Sequence, residues 1–251
     1  MVENEVKSCR RTFEVIRTLQ ELGGARLTDL AAEMGIPTST LHNYLQTLER
    51  EEYVVSEDGV YRVGLRFLEH GAHARDRMKL FEIAKPEVDK LAEETGELAN
   101  LLVEEHGRGI YLHRARGEEA VQVEAHVGTR VFLHSTALGK AILAHLPERR
   151  RDEIFERQGL PRLTDNTITD RAELREQLAR IEDRGYASDD GEKISGLRCV
   201  AAPVLSTTGR VLGAVSVSGP SNRFREDHFG DVLPEKVLAT VNVVELNVTH
   251  S

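Results

Sequence analysis

The sequence has only two cysteines, no tryptophan and no long apolar run. Cys9 and Cys199 lie far apart, which is more typical of reduced thiols than of a disulfide scaffold, and two cysteines cannot form a cysteine-rich zinc module. A membrane helix needs about 18 consecutive apolar residues, so the sequence predicts no membrane partner. The first eleven residues are polar and contain no apolar signal region, which predicts a cytoplasmic protein.

Motifs that carry catalysis or bind cofactors are also missing. The ten histidines form no His-x-x-x-His or Cys-His cluster, and His70 and His73 have no evident third ligand. The sequence contains neither a phosphate-binding loop nor a dinucleotide fingerprint. Neither cysteine has the surroundings of a nucleophile. We therefore expect no catalytic residues, no metal and no cofactor.

The sequence contains fewer basic than acidic residues. The 251 residues contain 33 lysines and arginines against 42 aspartates and glutamates, a net charge of −9. Among residues 1–70 the numbers are eight and twelve, a net charge of −4. A nucleic-acid-binding protein is usually basic, although only its contacting face has to be positive. The fractions of apolar (40%) and charged (30%) residues are those of a folded globular protein.

The amino-terminal part predicts three helices followed by a hairpin. The first helix spans residues 11–22, and its predicted core-facing residues are Phe13, Val15, Ile16, Leu19 and Leu22. Thr28 is expected to cap a short second helix, and the third is expected over residues 38–51. Asp58-Gly59 is a strong turn signal between two β-rich runs. This order is that of a winged helix-turn-helix DNA-binding domain.

One face of the third helix is predicted to contact bases. Leu41, Leu45 and Leu48 share one side of the helical wheel and must pack inward. The side chains expected to contact DNA, with Arg62 in the wing, are Thr38, Ser39, Thr40, His42, Asn43, Gln46 and Arg50. Amide side chains pair with adenine and arginine pairs with guanine. The alternative is a polar face that is merely solvated.

The carboxy-terminal part predicts an α+β domain, in which helices flank a mostly antiparallel sheet. The predicted boundaries are residues 1–64 for the first domain, 65–79 for a linker helix and 80–251 for the second domain. Residues 121–127 alternate between apolar and polar, which predicts a half-buried strand. Ser216 and Ser218 lie two apart on another predicted strand, so both face either a ligand or solvent.

Three further positions have two interpretations each. The helix predicted to start at Ala137-Leu138-Gly139 offers free backbone N–H groups to a carboxylate, and the adjacent Lys140 is interpreted as a surface charge. Cys199 is either a ligand contact or a small buried residue. Asp189 either contacts a ligand or stabilises a turn.

Several stretches resemble the IclR family of transcriptional regulators. An acidic cluster at Asp189-Asp190 is followed by Gly196-Leu197-Arg198-Cys199 and by an apolar strand that ends in Pro203-Val204. Residues 39–42, 61–64, 134–144 and 213–220 also match, in the order of the family. The resemblance covers nearly the whole chain. It implies a winged helix-turn-helix domain, a linker helix and a GAF-like effector-binding domain, assembled as homodimers or homotetramers.

The resemblance also implies a function and an effector site. The chain would bind a double-stranded DNA operator, and a small organic acid or sugar-derived acid would control that affinity. The implied effector-binding residues are Ala137, Leu138, Gly139, Asp189, Leu197, Cys199, Ser216 and Ser218. One position departs from the family, which often has arginine after the recognition-helix histidine where this chain has Asn43.

Two other functions stay open at this stage. The acidic amino-terminal part also suits a metabolite sensor that acts on a protein partner. A thiol enzyme of GAF-like fold would use Cys199 as its nucleophile, without a nearby resolving cysteine. The sequence does not distinguish a repressor from an activator.

Overall fold

The computed structural model describes residues 5–224 and 228–250 of the chain. The chain divides into two compact units, Met1–Ala74 and Arg75–Ser251. The cytoplasmic prediction rests on residues 1–11, and the first four of these lie outside the described residues. No helix in the described ranges is long and apolar enough to cross a membrane.

The first unit has a core between its helices and a short sheet. Its first three helices are α1 (Lys7–Glu21), α2 (Leu27–Met34) and α3 (Thr38–Arg50). Helix α2 ends at Gly35, whose φ of +61° is a left-handed conformation that glycine adopts without strain. Pro37 then sets the chain direction where α3 begins. The apolar side chains buried together include Val15, Leu19, Leu30, Leu41, Leu45, Leu48 and Val54.

The sheet of the first unit contains the predicted hairpin. Its strands are β1 (Ala25–Arg26), β2 (Val54–Glu57) and β3 (Val60–Val63), in the spatial order β1-β3-β2. Asp58 and Gly59 both have positive φ angles, +51° and +76°, as a two-residue turn between twisted strands requires. Strand β1 was not predicted, because two residues are too few to show an alternating pattern.

Two predicted details of α1 and α2 are wrong. Phe13 and Leu22 are 57% and 46% exposed and do not face the core. Phe13 stands two residues from the buried Val15, which at 100° per residue places it about 200° around the helix. Thr28 is not the cap of α2, because the helix starts before it, directly after β1. Its hydroxyl instead donates to the carboxylate of Asp29 at 3.2 Å.

Helix α4 (Arg66–Asp76) begins in the first unit, where its first residues contact the segment that follows α3. Arg66 Nη1 donates to the carbonyl of Glu51, the residue that caps α3, at 2.8 Å. The hydroxyl of Tyr53 lies 2.6 Å from His70 Nε2, and the two rings stack with centroids 5.6 Å apart. The beginning of α4 is therefore held by the segment that leaves α3.

The second unit is built on an antiparallel sheet with the strand order β6-β5-β4-β9-β8-β7. The strands are β4 (Leu98–Glu105), β5 (Arg108–Arg116), β6 (Arg130–Phe132), β7 (Ala187–Asp190), β8 (Leu197–Leu205) and β9 (Val211–Pro220). Each neighbouring pair in this order runs antiparallel. The predicted α+β class with an antiparallel sheet is confirmed.

Helices cover both faces of this sheet. One face packs against α5 (Lys79–Thr95) and α9 (Leu233–His250), and the other packs against α6 (Ala137–Ala144), α7 (Glu148–Gln158) and α8 (Arg171–Arg184). Successive side chains of a strand point to opposite faces. Val215 and Val217 of β9 therefore join the core with α5 and α9, whereas Ala214 joins the core with α6. Ser216 and Ser218 consequently point to the α6 side.

The strand predicted at residues 121–127 is absent. This segment, which connects β5 to β6, has no strand pairing in the structure. Instead the guanidinium of Arg114 donates to the carbonyl of Ala125. Exposed and partly buried residues do alternate there, but the sheet ends at β6, so the pattern reflects packing of a loop.

Helix α6 lies very close to the preceding turn, Leu133–Ser135. A Cβ atom on Gly139 would come within 2.1 Å of the carbonyl oxygen of Leu133, so no side chain fits at this position. The N–H of Gly139 donates to the hydroxyl of Thr136 at 3.0 Å, which caps the helix. Gly139 therefore sets how deeply the start of α6 can pack.

We expect opposite effects from the same substitution at two helical glycines. Gly139→Ala should lower the free energy of unfolding by about 3 kcal/mol or more, because the new Cβ would force the backbone at Leu133 and α6 apart. Gly71→Ala, in the middle of α4 with nothing within 4 Å, should raise it by up to about 1 kcal/mol through helix propensity. Urea unfolding followed by circular dichroism measures both. Equal effects of the two substitutions would contradict the close approach.

Candidate functional sites

Helix α3 presents an exposed polar face opposite its buried leucines. Of the eight residues predicted to contact DNA, seven are exposed and His42 is partly buried. The side-chain amides of Asn43 and Gln46 make no hydrogen bond within the described part of the chain, so both are available to a ligand. The hydroxyl of Thr47 is occupied, since it donates to the carbonyl of Asn43 at 2.9 Å. The face thus has the amide donors and acceptors that read base edges in a major groove.

The predicted cationic contacts of the first unit are paired with the chain's own carboxylates. Arg50 Nε lies 3.7 Å from Glu51 Oε1, and Arg62 Nη1 lies 3.5 Å from Glu57 Oε2. Both pairs are solvent-exposed, and exposed pairs contribute little to stability. A phosphate can replace such a partner, although the neighbouring glutamates oppose its approach. A carboxylate therefore lies beside each of the two arginines that are predicted to contact DNA.

The second unit encloses a pocket between the sheet and the start of α6. The centres of water-sized spheres can occupy a volume of about 30 Å³ in this pocket. Seven of the eight predicted effector residues line it, namely Ala137, Leu138, Asp189, Leu197, Cys199, Ser216 and Ser218. Strand pairing brings three of them together, because Asp189 is registered with Cys199 and Cys199 with Ser218. Gly139 does not line the pocket and instead lies against Leu133.

Hydrogen bonds orient the two serines in the pocket. Asn100 Nδ2 donates to Ser216 Oγ at 3.2 Å and to Ser218 Oγ at 3.5 Å. Arg114 Nε donates to Asn100 Oδ1 at 3.1 Å and so fixes the amide. Because Ser216 accepts from Asn100, its own hydroxyl proton is free to be donated to a ligand. Both serines are buried, which decides against a solvated strand face.

The start of α6 adds backbone donors. The N–H groups of Ala137 and Leu138 have no hydrogen-bond partner within the described ranges, and both residues line the pocket. Thr136 caps only the N–H of Gly139. Free N–H groups at a helix N-terminus attract anions. The pocket therefore combines backbone and hydroxyl donors suited to a carboxylate.

A buried ion pair lies beside the pocket, at a residue interpreted from the sequence as a surface charge. Lys140 is 0% exposed and its ammonium group pairs with the carboxylate of Glu192. The interpretation of Lys140 as a surface charge is wrong, because α6 is buried along its whole length. The pairing holds the segment between β7 and β8, and the Glu192 N–H donates to Asp189 Oδ1 at 2.7 Å.

Burial changes the acidity of two predicted effector residues in the pocket. It raises the pKa of Asp189 from 3.8 to about 7, against the opposing effect of the Lys140 charge. Burial also raises the pKa of the Cys199 thiol well above its ordinary value. A thiol with a raised pKa forms little thiolate at neutral pH and is a poor nucleophile. This argues against Cys199 as a catalytic residue. No cluster that could hold a metal ion occurs among the described residues.

Sequence reasoning missed the rest of the lining. The unassigned lining residues are Leu98, Asn100, Tyr111, Arg114, Val123, Thr136, Lys193 and Ile194. Lys193 and Ile194 fall inside the stretch that carries the family resemblance, so their position was a usable signal. Asn100 and Arg114 carry no such signal, because strand pairing alone brings them to the serines, more than 100 residues away in the chain.

Comparisons with known proteins agree on one family. The IclR helix-turn-helix domain matches residues 8–58, and the bacterial transcriptional regulator IclR C-terminal domain matches residues 72–245. A probable HTH-type transcriptional regulator, ArcR of Halobacterium salinarum, is 35% identical over 97% of this chain and 94% of its own length. The transcriptional repressor IclR of Escherichia coli is 31% identical over 89% of this chain and 83% of its own length.

Solved structures show the same architecture. The IclR crystal structure from Thermotoga maritima matches with a TM-score of 0.76 and 28% identity, over 96% of this chain and 100% of that one. An IclR homolog from Microbacterium hydrocarbonoxydans, solved in complex with 4-hydroxybenzoate, matches with a TM-score of 0.77 and 26% identity. That match covers 91% of this chain and 92% of the other.

The raised pKa of Asp189 predicts a pH-dependent stability. Between about pH 4 and pH 7 the folded chain holds a proton that the unfolded chain releases, so the free energy of unfolding falls as the pH rises. The Asp189→Asn variant should not lose stability in this way, because asparagine does not titrate. Its stability advantage over the unaltered protein should grow across that interval, to at most about 4 kcal/mol. Urea unfolding at several pH values measures it, with the exposed Asp165→Asn as control. An advantage independent of pH would contradict the prediction.

Proposed function

The chain belongs to the IclR family of transcriptional regulators, and on that premise we propose that it is an effector-controlled DNA-binding regulator. Its recognition helix α3 reads the major groove of an operator, and a small organic acid in the pocket changes the affinity for that operator. One observation carries the proposal above the others: the sheet and α6 bring seven predicted effector residues to a single pocket. We further propose that residues 1–64 bind DNA, that 65–79, which contain α4, form the linker, and that 80–251 bind the effector.

The support for DNA reading is the free polar face of α3. Asn43 and Gln46 stand one turn apart on it, so both amides can reach neighbouring base pairs. Asn43 replaces the arginine frequent in the family, which removes one positive charge from a unit that is already acidic. We propose that specific amide contacts contribute more here, and phosphate contacts less, than in a basic domain. The salt dependence of binding should therefore be shallow.

The support for an acid effector is the set of donors without partners in the pocket. Ser216 and the N–H groups of Ala137 and Leu138 can all donate to one carboxylate. A relative at 26% identity holds 4-hydroxybenzoate, which is itself an organic acid. Binding to one conformation in preference to another shifts the population between states with different operator affinity. We propose that the chain acts as a homodimer or homotetramer in the cytoplasm.

A second candidate function is suggested by the charge of the first unit. A net charge of −4 over residues 1–70, with arginines already paired to glutamates, also suits a sensor that docks on a protein. Selection of fragmented genomic DNA on the immobilised protein, at several salt concentrations, separates the two. Enrichment of a few fragments that share a palindrome supports the regulator. Absence of enrichment at every salt concentration, with and without acids, favours the protein partner.

Substitutions on α3 test the reading face. Asn43→Ala and Gln46→Ala should each weaken binding to the selected operator by about 1–3 kcal/mol per lost base contact. Non-specific binding should change little, because neither residue is charged. Fluorescence anisotropy measures both affinities. Gln122→Ala, an exposed amide in the other unit, is the matched control. Unchanged operator affinity in both α3 variants would show that another face reads DNA.

A substitution in the pocket tests the response. In the Ser216→Ala variant we expect operator binding without effector to be unchanged and the response to an active acid to be lost or weakened at least about tenfold. The free hydroxyl proton is lost while the backbone is kept. The measurement is anisotropy over a titration with acids, and adding Asp189→Ala should abolish the response. A normal response in the double variant would exclude this pocket as the effector site.

A further inference from the structure

Two cationic side chains that were not predicted to bind the effector also line the pocket. Arg114 lies on β5, and Lys193 lies between β7 and β8. Both approach the ring of Tyr111. The Arg114 Cζ atom is 5.3 Å from the ring centroid, and the Lys193 Nζ atom is 5.4 Å from it. The pocket thus has a cationic region around Tyr111, in addition to the serine and helix donors.

Neither cation forms an ion pair within the described residues, although Asp189 attracts the Lys193 charge from beyond ion-pair distance. In the described part of the structure no carboxylate lies within ion-pair distance of Arg114 or Lys193. Arg114 uses Nε and Nη1 to donate to Asn100 Oδ1 and to the Ala125 carbonyl, both uncharged. Its Nη2 has no partner within the described ranges. Burial lowers the pKa of both Arg114 and Lys193, so the protein itself disfavours their charges.

The one carboxyl that lines the pocket does not balance these two charges. Asp189 accepts the Glu192 N–H, and Lys140 is the cation that lowers its pKa most, with Lys193 contributing less. Lys140 is itself already paired with Glu192. A ligand with a single carboxylate, bound at Ser216 and the α6 N–H groups, would leave the cationic region uncompensated.

We propose that the effector of this chain is a small dicarboxylate. One carboxylate is held by Ser216 and the N–H groups of α6, and the other by Arg114 and Lys193. This inference rests on the proposed function of the pocket and adds the class of ligand. Arg114 is already held in place by two hydrogen bonds, so little conformational entropy is lost when it binds an anion. Charge-assisted hydrogen bonds then supply the preference for a second carboxylate.

Paired acids of equal chain length test the proposal by calorimetry on the full chain. The diacids are malonate, succinate and glutarate, and their partners are propionate, butyrate and valerate. We expect at least one diacid to bind about tenfold or more tightly than its partner. Lys193→Met should remove most of that preference without weakening the monoacid, and Lys193→Arg should restore it. Lys90→Met, an exposed lysine on α5, is the control.

The outcomes separate the ligand class from the proposed function. If monoacids bind as tightly as diacids, and Lys193→Met changes neither, the dicarboxylate is excluded while the effector pocket stands. If no acid binds and Ser216→Ala has no effect on any response, both proposals fail. Arg114→Gln is an independent check, because its circular dichroism spectrum and unfolding curve show whether the fold is kept. A folded Arg114→Gln protein with an unchanged diacid preference would also contradict the proposal.

Discussion

The two-residue period of β9 is the constraint on which the second unit depends. Val215 and Val217 are buried against α5 and α9, so the residues between and beside them must face α6. The same strand therefore provides hydrophobic packing on one face and hydroxyl donors on the other. A slip of one residue would place valines in the pocket and serines in the core. The burial of those valines thus holds Ser216 and Ser218 at the pocket.

Beneath the pocket, buried polar groups hold the segment between β7 and β8. Glu192 pairs with Lys140, and its carbonyl accepts the hydroxyl of Thr167 at 2.6 Å. Glu192 Oε2 is buried without a hydrogen-bond partner in the described part of the chain, so the network is not fully satisfied. A buried ion pair is weak evidence for stability, because the cost of desolvating both charges can exceed their attraction. Here the pair holds the segment that carries Asp189 and Lys193, and hence affects the shape of the pocket.

The acidity of the first unit affects the two arginines that are predicted to contact DNA. Arg50 and Arg62 pair with Glu51 and Glu57, so the arginines lie among carboxylates and a phosphate must compete for them. The burial of leucines in α3 nevertheless leaves Asn43 and Gln46 exposed and unpaired. In the proposed complex with DNA, neutral amide contacts would therefore supply more of the affinity than phosphate contacts. Helix α4 is held to the segment that follows α3, because Arg66 donates to the Glu51 carbonyl and His70 stacks on Tyr53.

Elements with local signals could be predicted from the sequence alone. The leucine spacing of α3, the Asp58-Gly59 turn and the alternation of β9 each depend on residues a few positions apart, and each was predicted from them. The spaced motifs also identified the family and seven residues of the pocket. The burial of Lys140, the exposure of Phe13 and the placement of Arg114 beside Asn100 follow from the packing of the folded chain. These depend on which distant segments pack together, and pairing across a sheet leaves no pattern in the neighbouring sequence.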